Sequence, residues 1–383
     1  MRVSAKIDRD NVLFVTAVRG VAAFYVMISH VWYQIWPAAP APFGSGEYPV
    51  GLTAQLTGWL YYGHFGVVAF IFVSGFCLTI PVLRDGKIRS IGRFFYRRCR
   101  RILPPYYAAL SLSIVLATTV IARESGSQWD ISVPVTWAGA LSHLLLIQHL
   151  VEPTQINYPL WSISVEFHLY GLFPILVLAW HKFGIWTMVG TLSVGIFILM
   201  VVLIAWHIEY IPPSFLGLAV HFALGMACCH LIFGGSLSVW VVRASGPAAL
   251  GFLAMLVVIC TAIGHTRVEE NLHVVDLVVI AALFCAFIHL SFHPAGARAV
   301  LERPVLIRLG DMSYSLYLTH APVIHMLWLF LASRVCKPQD FVLLLLASVP
   351  VTLITARGFH LLFERPFLSA RSLPDKRGAE SSS

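Results

Sequence analysis

Charged side chains are scarce in this sequence. Asp, Glu, Lys and Arg make up only 11% of its 383 residues, whereas hydrophobic residues make up 58%. The mean hydropathy of +0.80 lies far above that of a soluble globular domain. This composition excludes a water-soluble fold and indicates a chain that is surrounded by lipid.

Motifs of several familiar chemistries are also missing. The seven cysteines form no CxxC pair, and most lie inside apolar runs, so we expect neither a disulfide framework nor a zinc site. An HExxH motif and a carboxylate cluster are absent, and we therefore expect no metal and no tightly bound cofactor. The absence of P-loop, GxSxG and HxxxxD patterns leaves ATP hydrolysis and soluble-type acyl transfer without support.

What the sequence does contain is a series of apolar runs, each long enough to cross a hydrocarbon core of about 30 Å as a helix. The fold class that they predict is all-α, a multi-pass integral membrane bundle of about ten transmembrane helices. The runs cover residues 11–32, 64–83, 103–122, 160–180, 185–206, 213–233, 246–264, 274–292, 312–333 and 341–363.

The net charge of +8 sets the orientation of this bundle and does not indicate nucleic-acid binding, because the basic residues cluster between apolar runs. The loop from Arg84 to Arg101 holds eight Lys and Arg residues, which predicts that it is cytoplasmic. With ten spans, both termini are then cytoplasmic. We expect a membrane domain over residues 1–367 and a polar, disordered cytoplasmic tail over residues 368–383.

An eleventh apolar run, residues 135–151, would place the basic segment 294–311 and the tail outside if it also spanned. We therefore predict that this run is interfacial or re-entrant. Its Trp137, His143 and His149 would contribute to a cavity or to packing.

Arg19 and His30 are ionisable residues inside the first span, where a polar side chain is costly unless it has a function. Eleven residues apart, they share one helix face and are separated by roughly 16 Å along the axis. A neutral imidazole can take a proton from a hydroxyl, and a guanidinium can bind phosphate or stabilise negative charge. The alternative is that Arg19 snorkels or pairs with a carboxylate and that His30 lies at the interface.

A second polar group opens the fourth span, at Trp161, Ser164, Glu166 and Tyr170. We expect Glu166 to lie at the depth of His30 and to orient that histidine or to bind a sugar acceptor, with Tyr170 one turn away. Trp161 and the serines offer a surface that suits a sugar. A structural ion pair between Glu166 and an arginine is the other interpretation.

Two further patterns are candidates for substrate binding. Arg93, Arg97 and Arg101 follow one another at four-residue intervals, with Arg98 and Arg100 between them, and could bind the phosphates of a nucleotide-containing donor or simply set the orientation. Ser313, Tyr317 and His320 form one polar stripe of the ninth span, which could be catalytic or could serve interhelical hydrogen bonding. His64 begins the second span near the level of His30.

These elements together resemble acyltransferase family 3, the integral membrane O-acyltransferases of bacteria. The similar segments are Arg19 through His30, Phe70-Ile71-Phe72-Val73-Ser74-Gly75-Phe76, Arg97 to Tyr107, Leu160-Trp161-Ser162 with Glu166 and Tyr170, Ser313 to His320, and Phe363-Glu364-Arg365-Pro366-Phe367. Ile163 and His168 depart from the usual residues of this family.

The resemblance implies ten helices with cytoplasmic termini in the bacterial inner membrane. It also implies acetyl-CoA as an acyl-CoA co-substrate and a carbohydrate hydroxyl as acceptor, with His30 as base and Arg19 binding the donor or transition-state charge. Some relatives carry a hydrolase-like domain outside the membrane. This sequence ends soon after Pro366, so we expect either direct acylation or a separate periplasmic transferase. A transporter or flippase of glycans, or the same fold with a succinyl donor, are the alternatives; the acceptor and the oligomeric state stay open.

Overall fold

The structure is a computed structural model, and it describes residues 2–3, 5, 12–37, 48–151, 155–206, 213–235, 237–331 and 337–368. The predicted tail lies outside the described residues except for Leu368. Two residues at the end of the predicted ninth run, 332 and 333, and the first residue of the first run lie outside them as well.

The first half of the chain is helical after a short strand. Strand β1 (Arg2–Val3) precedes the helices α1 (Leu13–Ile35), α2 (Gly51–Thr57), α3 (His64–Asp85), α4 (Ile91–Thr119), α5 (Trp137–Leu144), α6 (Gln148–Val151), α7 (Trp161–Phe183) and α8 (Ile185–Ala205). Short 3-10 turns lie at Gly58–Tyr62, Gln128–Ser132 and Tyr158–Leu160.

The second half follows the same plan. It contains α9 (Pro213–Cys229), β2 (Leu237–Ser238), α10 (Val239–Ile263), α11 (His265–Glu270), α12 (Leu272–Phe292), α13 (Ala297–Leu301), α14 (Pro304–Asp311), α15 (Ser313–Leu331) and α16 (Lys337–Phe359). Helices α9 and α16 continue into π-helical turns at His230–Gly234 and His360–Glu364. β1 and β2 pair antiparallel, with Arg2 opposite Ser238.

Capping residues explain where α3 ends and α4 begins around the basic segment. Helix α3 stops at Gly86, which adopts a left-handed φ of 72° that suits a residue without a Cβ. Helix α4 begins after Ser90, whose hydroxyl accepts a hydrogen bond from the amide of Arg93. Arg93 to Arg101 therefore lie in the first three turns of a helix and are held in a fixed rotation relative to the bundle.

Nine helical segments of the described residues are long and apolar enough to cross a membrane. They are Leu13–Ile35, Gly51–Asp85, Ile91–Thr119, Tyr158–Phe183, Ile185–Ala205, Leu216–Gly234, Val239–Ile263, Leu272–Phe292 and Gln339–Phe367. Each corresponds to a predicted run, so the all-α membrane bundle is confirmed.

The remaining predicted span is α15, which is a helix of 19 residues but is not among these nine. Its first thirteen residues, Ser313 to His325, are all buried inside the protein. Other helices shield it from lipid, and this is why it can carry serines, tyrosines and histidines where a lipid-facing helix would need apolar side chains. Helices α8 and α10 are the opposite case, since only 11% and 6% of their apolar windows are buried.

The eleventh apolar run does not form a span. It divides into α5 with 8 residues and α6 with 4, and at about 1.5 Å per residue neither could cross a membrane. Trp137 is 93% exposed, so it lines no cavity and the expectation for this residue was wrong. His143 and His149 are buried, as predicted for packing residues.

Glycines bring helices α3 and α9 into close contact. On α3, a Cβ added to Gly75 would lie 2.0 Å from the carbonyl oxygen of Phe222 on α9, and one added to Gly225 would lie equally close to Phe72. The α3–α9 crossing therefore requires glycine on both helices. This contact gives Gly75 a packing role, and it leaves Ser74 on another face of α3.

Candidate active site

A polar cavity of about 50 Å³ lies inside the bundle among α1, α3, α4, α7 and α15. Its wall is unusually charged for a membrane interior, because it includes three arginines and one carboxylate. The lining residues are Arg19, Val73, Ser74, Cys77, Leu78, Arg98, Arg101, Ile102, Glu166, Tyr170 and Tyr314. We call this space the arginine cavity.

A second cavity of about 30 Å³ adjoins the first and shares Arg19, Glu166 and Tyr314 with it. Its other lining residues are mostly apolar: Val67, Phe70, Ile71, Ser162, Ile163 and Tyr317. We call this space the inner cavity. The shared walls make the two cavities neighbours along α1 and α15.

Arg19 lies at the boundary of both cavities. It is part-buried in α1, and its guanidinium has no hydrogen bond or ion pair with any other residue that the structure describes. The ion pair that the sequence left open as an alternative is therefore not formed. A guanidinium without a protein partner in a cavity wall is suited to an anionic or carbonyl-bearing ligand.

Glu166 belongs to this part of the site. Its Oε1 accepts hydrogen bonds from the Ser74 hydroxyl and from the Tyr170 hydroxyl, the latter at 2.5 Å. Tyr170 therefore lies one turn from Glu166 on the same face, as predicted. The expectation that Glu166 contacts His30 is not met, because the carboxylate lines the cavities beside Arg19.

The five candidate donor-binding arginines separate into two groups. Arg98 and Arg101 line the arginine cavity, and Arg98 lies over the rings of Phe94 and Tyr170 at 5.8 Å from each centroid. The buried Nε of Arg98 has no hydrogen-bond partner. Three others, Arg93, Arg97 and Arg100, are exposed on the surface of α4. The inward face of α4 follows Phe94, Arg98 and Arg101, so Arg101 of the predicted stripe lines the cavity, whereas Arg93 and Arg97 lie on the surface and their part in donor binding stays a prediction.

His30 meets a second histidine. Its Nδ1 lies 2.6 Å from Nε2 of His320 on α15, and the two rings meet edge to edge, with centroids 4.9 Å apart and planes within 7°. The ring of Tyr158 packs against that of His30 in a T-shaped arrangement, with the centroids 5.0 Å apart. His320 is completely buried, whereas His30 is part-exposed. The carboxylate partner that the sequence predicted for His30 is replaced by an imidazole.

Tyr317 connects the inner cavity to this histidine pair. Its ring centroid lies 5.7 Å from that of His320, and its hydroxyl shares a 2.6 Å hydrogen bond with the hydroxyl of Ser162. Tyr314, Tyr317 and His320 recur every three residues along α15. One face of this helix therefore follows α1 from the level of Arg19 to the level of His30, which confirms the inward-facing stripe of the ninth span.

Other predicted site residues have structural partners elsewhere. His64 pairs with Asp276 of α12 at 2.9 Å, so it does not join His30.

Ser164 is buried and hydrogen-bonds to Nδ1 of His149. Burial, and then the nearby His168, lower the pKa of His149 to about 4, so this bond joins neutral groups at physiological pH. Trp161 is part-buried, and Ser313 is buried with its hydroxyl unbonded.

Sequence reasoning missed the roles of Ser74, Tyr314 and Asp276. The hydroxyl of Tyr314 donates a 3.0 Å hydrogen bond to the carbonyl of Ile102 and so joins α15 to α4 at the cavity wall. A signal was present, since a serine, a tyrosine and an aspartate inside apolar spans are costly unless they have partners. Among the described residues, no group of three His, Cys, Asp or Glu side chains could hold a metal ion.

Comparisons with known proteins bear on what this site does. Residues 12–357 match the family model described as "Acyltransferase domain". The chain is similar to acyltransferase MdmB of Streptomyces mycarofaciens, with 27% identity over 68% of this chain and 68% of that protein. It is also similar to the O-acetyltransferase OatA of Staphylococcus aureus, with 24% identity over 84% of this chain and 56% of that protein. The match thus spans little more than half the length of OatA. No solved structure matches.

Proposed function

The chain belongs to acyltransferase family 3, and from this premise we propose that it transfers an acyl group, most simply acetyl from acetyl-CoA, to a hydroxyl of a carbohydrate at the bacterial inner membrane. The observation that carries the proposal is one continuous row of polar side chains through the bundle. The row begins at Arg98 and Arg101, passes Arg19 and ends at His30.

The charges in the row suit a donor that is anionic at one end and carries a thioester at the other. Arg98, Arg101 and Arg19 bring three positive charges to one cavity, against the single carboxylate of Glu166. Guanidinium groups bind phosphates through charge-assisted hydrogen bonds. Acyl-CoA fits this pattern, with its phosphates toward α4 and its pantetheine arm directed along the inner cavity. Both termini are cytoplasmic in this proposal, so the donor enters from the cytoplasm.

The chemistry is then a direct acyl transfer. The acceptor hydroxyl oxygen bonds to the thioester carbonyl carbon while His30 takes the hydroxyl proton. Arg19 stabilises negative charge of the donor. The carbon–sulfur bond breaks, the imidazolium of His30 returns the proton to the departing thiolate, and an ester and CoA thiol result.

The hydroxyl acceptor is proposed from the similarity to the O-acetyltransferase OatA. Its carbohydrate nature is proposed from the aromatic and hydroxyl-bearing residues near His30. A glycan presented at the outer side would reach His30, which lies toward the outer end of α1 in the proposed orientation. A separate periplasmic transferase that passes the acyl group onward is a variant of the same proposal.

The test uses membranes that contain wild-type protein, His30→Ala or His168→Ala. Acetyl-CoA labelled on its acyl group is supplied, and thiol release and label transfer to host glycans are followed. We expect His30→Ala to lose about 10²- to 10⁴-fold in rate. His168, an exposed histidine of α7, provides the matched control and should leave the rate near wild type.

Full activity in His30→Ala would refute the assignment of the base. Wild-type protein is also supplied with succinyl-CoA and with longer acyl-CoA donors, each with a range of acceptors. If it turns over none of these donors, nor acetyl-CoA, the enzymatic proposal is wrong. Movement of a glycan across the membrane without thioester consumption would then favour a transporter.

A further inference from the structure

We propose that His320 is a positioning residue that holds His30 in the tautomer with its proton on Nδ1 and a free lone pair on Nε2. The inference deepens the proposed function and rests on it, because it assumes that His30 is the base. It assigns His320 the role of orienting the base, which the row of polar residues alone does not specify.

The position of the proton follows from the partners of His320. Nδ1 of His320 lies 3.1 Å from the carbonyl oxygen of Leu316, one turn earlier on α15. A carbonyl oxygen only accepts hydrogen bonds, so Nδ1 of His320 carries a hydrogen. A neutral imidazole has a single N–H, and Nε2 of His320 is therefore an acceptor.

The tautomer of His320 determines that of His30, because Nε2 of His320 lies 2.6 Å from Nδ1 of His30. Because Nε2 of His320 accepts, Nδ1 of His30 must donate. The single hydrogen of a neutral His30 is thereby used, and Nε2 keeps its lone pair. Nε2 has no hydrogen-bond partner among the residues that the structure describes, so it is available to a hydroxyl of the acceptor.

The alternative of a doubly protonated His320 is disfavoured by its surroundings. The ring is completely buried, and a buried cation without a carboxylate partner is costly. The nearby carboxylates have other partners: Glu166 binds Ser74 and Tyr170, and Glu364 binds Ser315 and His360. The pair is consequently neutral before reaction.

Packing reinforces the orientation of the base. The two imidazole planes are within 7° of each other, and the ring centroid of Tyr158 lies 5.0 Å from that of His30. His30 is therefore packed against both α15 and the turn that precedes α7. When the hydroxyl proton arrives on Nε2, the Nδ1 hydrogen bond to His320 is retained, and the same Nε2 proton later passes to the thiolate.

The chain offers a matched control one turn farther along both helices. Gln34 of α1 hydrogen-bonds to Nδ1 of His325 of α15 at 2.8 Å. His325 is as buried as His320 and also belongs to a polar pair between α1 and α15, but it does not contact His30. Removing it tests the loss of a buried histidine without changing the hydrogen bond of the base.

The experiment compares His320→Leu, His320→Gln and His325→Leu in purified full-length protein, with kcat and the KM for acetyl-CoA measured separately. We expect His320→Leu to lose about 100-fold in kcat with little change in KM, as when an orienting partner of a base is removed. In His320→Gln, an amide oxygen can accept from Nδ1 of His30, and we expect at least about a tenth of wild-type kcat. His325→Leu should keep kcat close to wild type.

A second measurement does not depend on how these variants fold. Nitrogen-15 NMR of labelled histidine in wild-type protein, with the His30 signals assigned by their loss in His30→Gln, reports which nitrogen carries the proton. Protonated Nδ1 and bare Nε2 are expected; a proton on Nε2 would overturn the inference. So would wild-type kcat in His320→Leu. Failure of wild-type protein to transfer any acyl group would instead count against the proposed function.

Discussion

Gly20 on α1 and Gly310 on α14 cross so closely that a Cβ added to Gly20 would lie 2.5 Å from the backbone nitrogen of Gly310. The reverse substitution is more severe, because a Cβ on Gly310 would lie 2.0 Å from the carbonyl oxygen of Thr16. Neither contact can be relieved by rotating a side chain, since backbone atoms are involved. The crossing immediately follows Arg19 and fixes the depth and rotation of that arginine.

Alanine at this crossing should therefore affect both stability and donor binding. For Gly310→Ala we expect a loss of about 1–3 kcal/mol in stability, from forced backbone shifts, and a raised KM for acetyl-CoA. Thermal unfolding in detergent and steady-state kinetics measure the two effects. Gly190→Ala is the control, because nothing lies within 4 Å of an added Cβ on that helical glycine. Equal behaviour of the two variants would contradict the proposed role of the crossing.

The two groups of arginines on α4 predict different effects of the same substitution. Arg98→Gln removes a charge from the cavity wall and should raise the KM for acetyl-CoA at least about tenfold, because a hydrogen bond to a charged group contributes about 1.5–3 kcal/mol. Arg97→Gln removes the neighbouring, exposed charge and should leave the KM nearly unchanged. A larger effect of Arg97→Gln would show that the donor binds on the surface of α4.

Glu166 is predicted to organise the cavity through its hydrogen bonds to Ser74 and Tyr170. Glu166→Gln should lower kcat/KM, since the negative charge near Arg19 is lost while the amide oxygen can still accept from both hydroxyls, as Oε1 does. Tyr170→Phe removes one donor and keeps the charge, so it should lower kcat/KM less than Glu166→Gln does. It should cost about 1 kcal/mol in stability. Kinetics and thermal unfolding of both variants distinguish the roles, and an equally active Glu166→Gln would exclude a role of the charge.

The His64–Asp276 pair is predicted to stabilise the bundle rather than to act on substrate. Asp276 is completely buried, and its Oδ1 has no hydrogen-bond partner. His64→Leu leaves this carboxylate unpaired and should cost about 3–5 kcal/mol, whereas the double variant with Asp276→Leu should recover much of that loss. Thermal unfolding measures both. A fall in kcat of the folded enzyme in the double variant would return His64 to the active site.

Both termini are predicted to be cytoplasmic, because the Arg84 to Arg101 loop is the most basic in the sequence. Green fluorescent protein fused after Ser383 should be fluorescent, and alkaline phosphatase at the same position should be inactive. Alkaline phosphatase inserted after Gly51 should be active, as expected of an outer loop. The reverse pattern would invert the orientation and the proposed side of donor entry.

Much of the fold could be predicted from the sequence, since long apolar runs and the positions of basic residues depend on local composition. That residues 135–151 do not span also followed from charge counting. What local composition could not provide was helix rotation. The spacing of Arg93, Arg97 and Arg101 predicts one basic stripe, but the neighbours of α4 decide that Arg101 lines the cavity while Arg93 and Arg97 lie on the surface.

The partners of the predicted site residues could not be predicted from the sequence either. Their positions inside apolar runs identify Arg19, His30, Glu166 and His320 as costly polar residues. Which of them pair depends on how α1, α7 and α15 are arranged in space. Glu166 lies beside Arg19, and His320 replaces it as the partner of His30. Burial cost identifies candidate residues, whereas tertiary packing decides which of them meet.

The burial of α15 has a consequence for how the protein is made. A helix that carries Ser313, Tyr317, His320 and His325 exposes polar side chains when it lies alone in lipid, which lowers the gain from releasing it there on its own. Its packing neighbours are α1, synthesised long before it, and α16, synthesised just after it. The histidine pair should therefore assemble late, when these helices enclose α15, and a ribosome-bound intermediate that lacks α16 should hold the base without its partner.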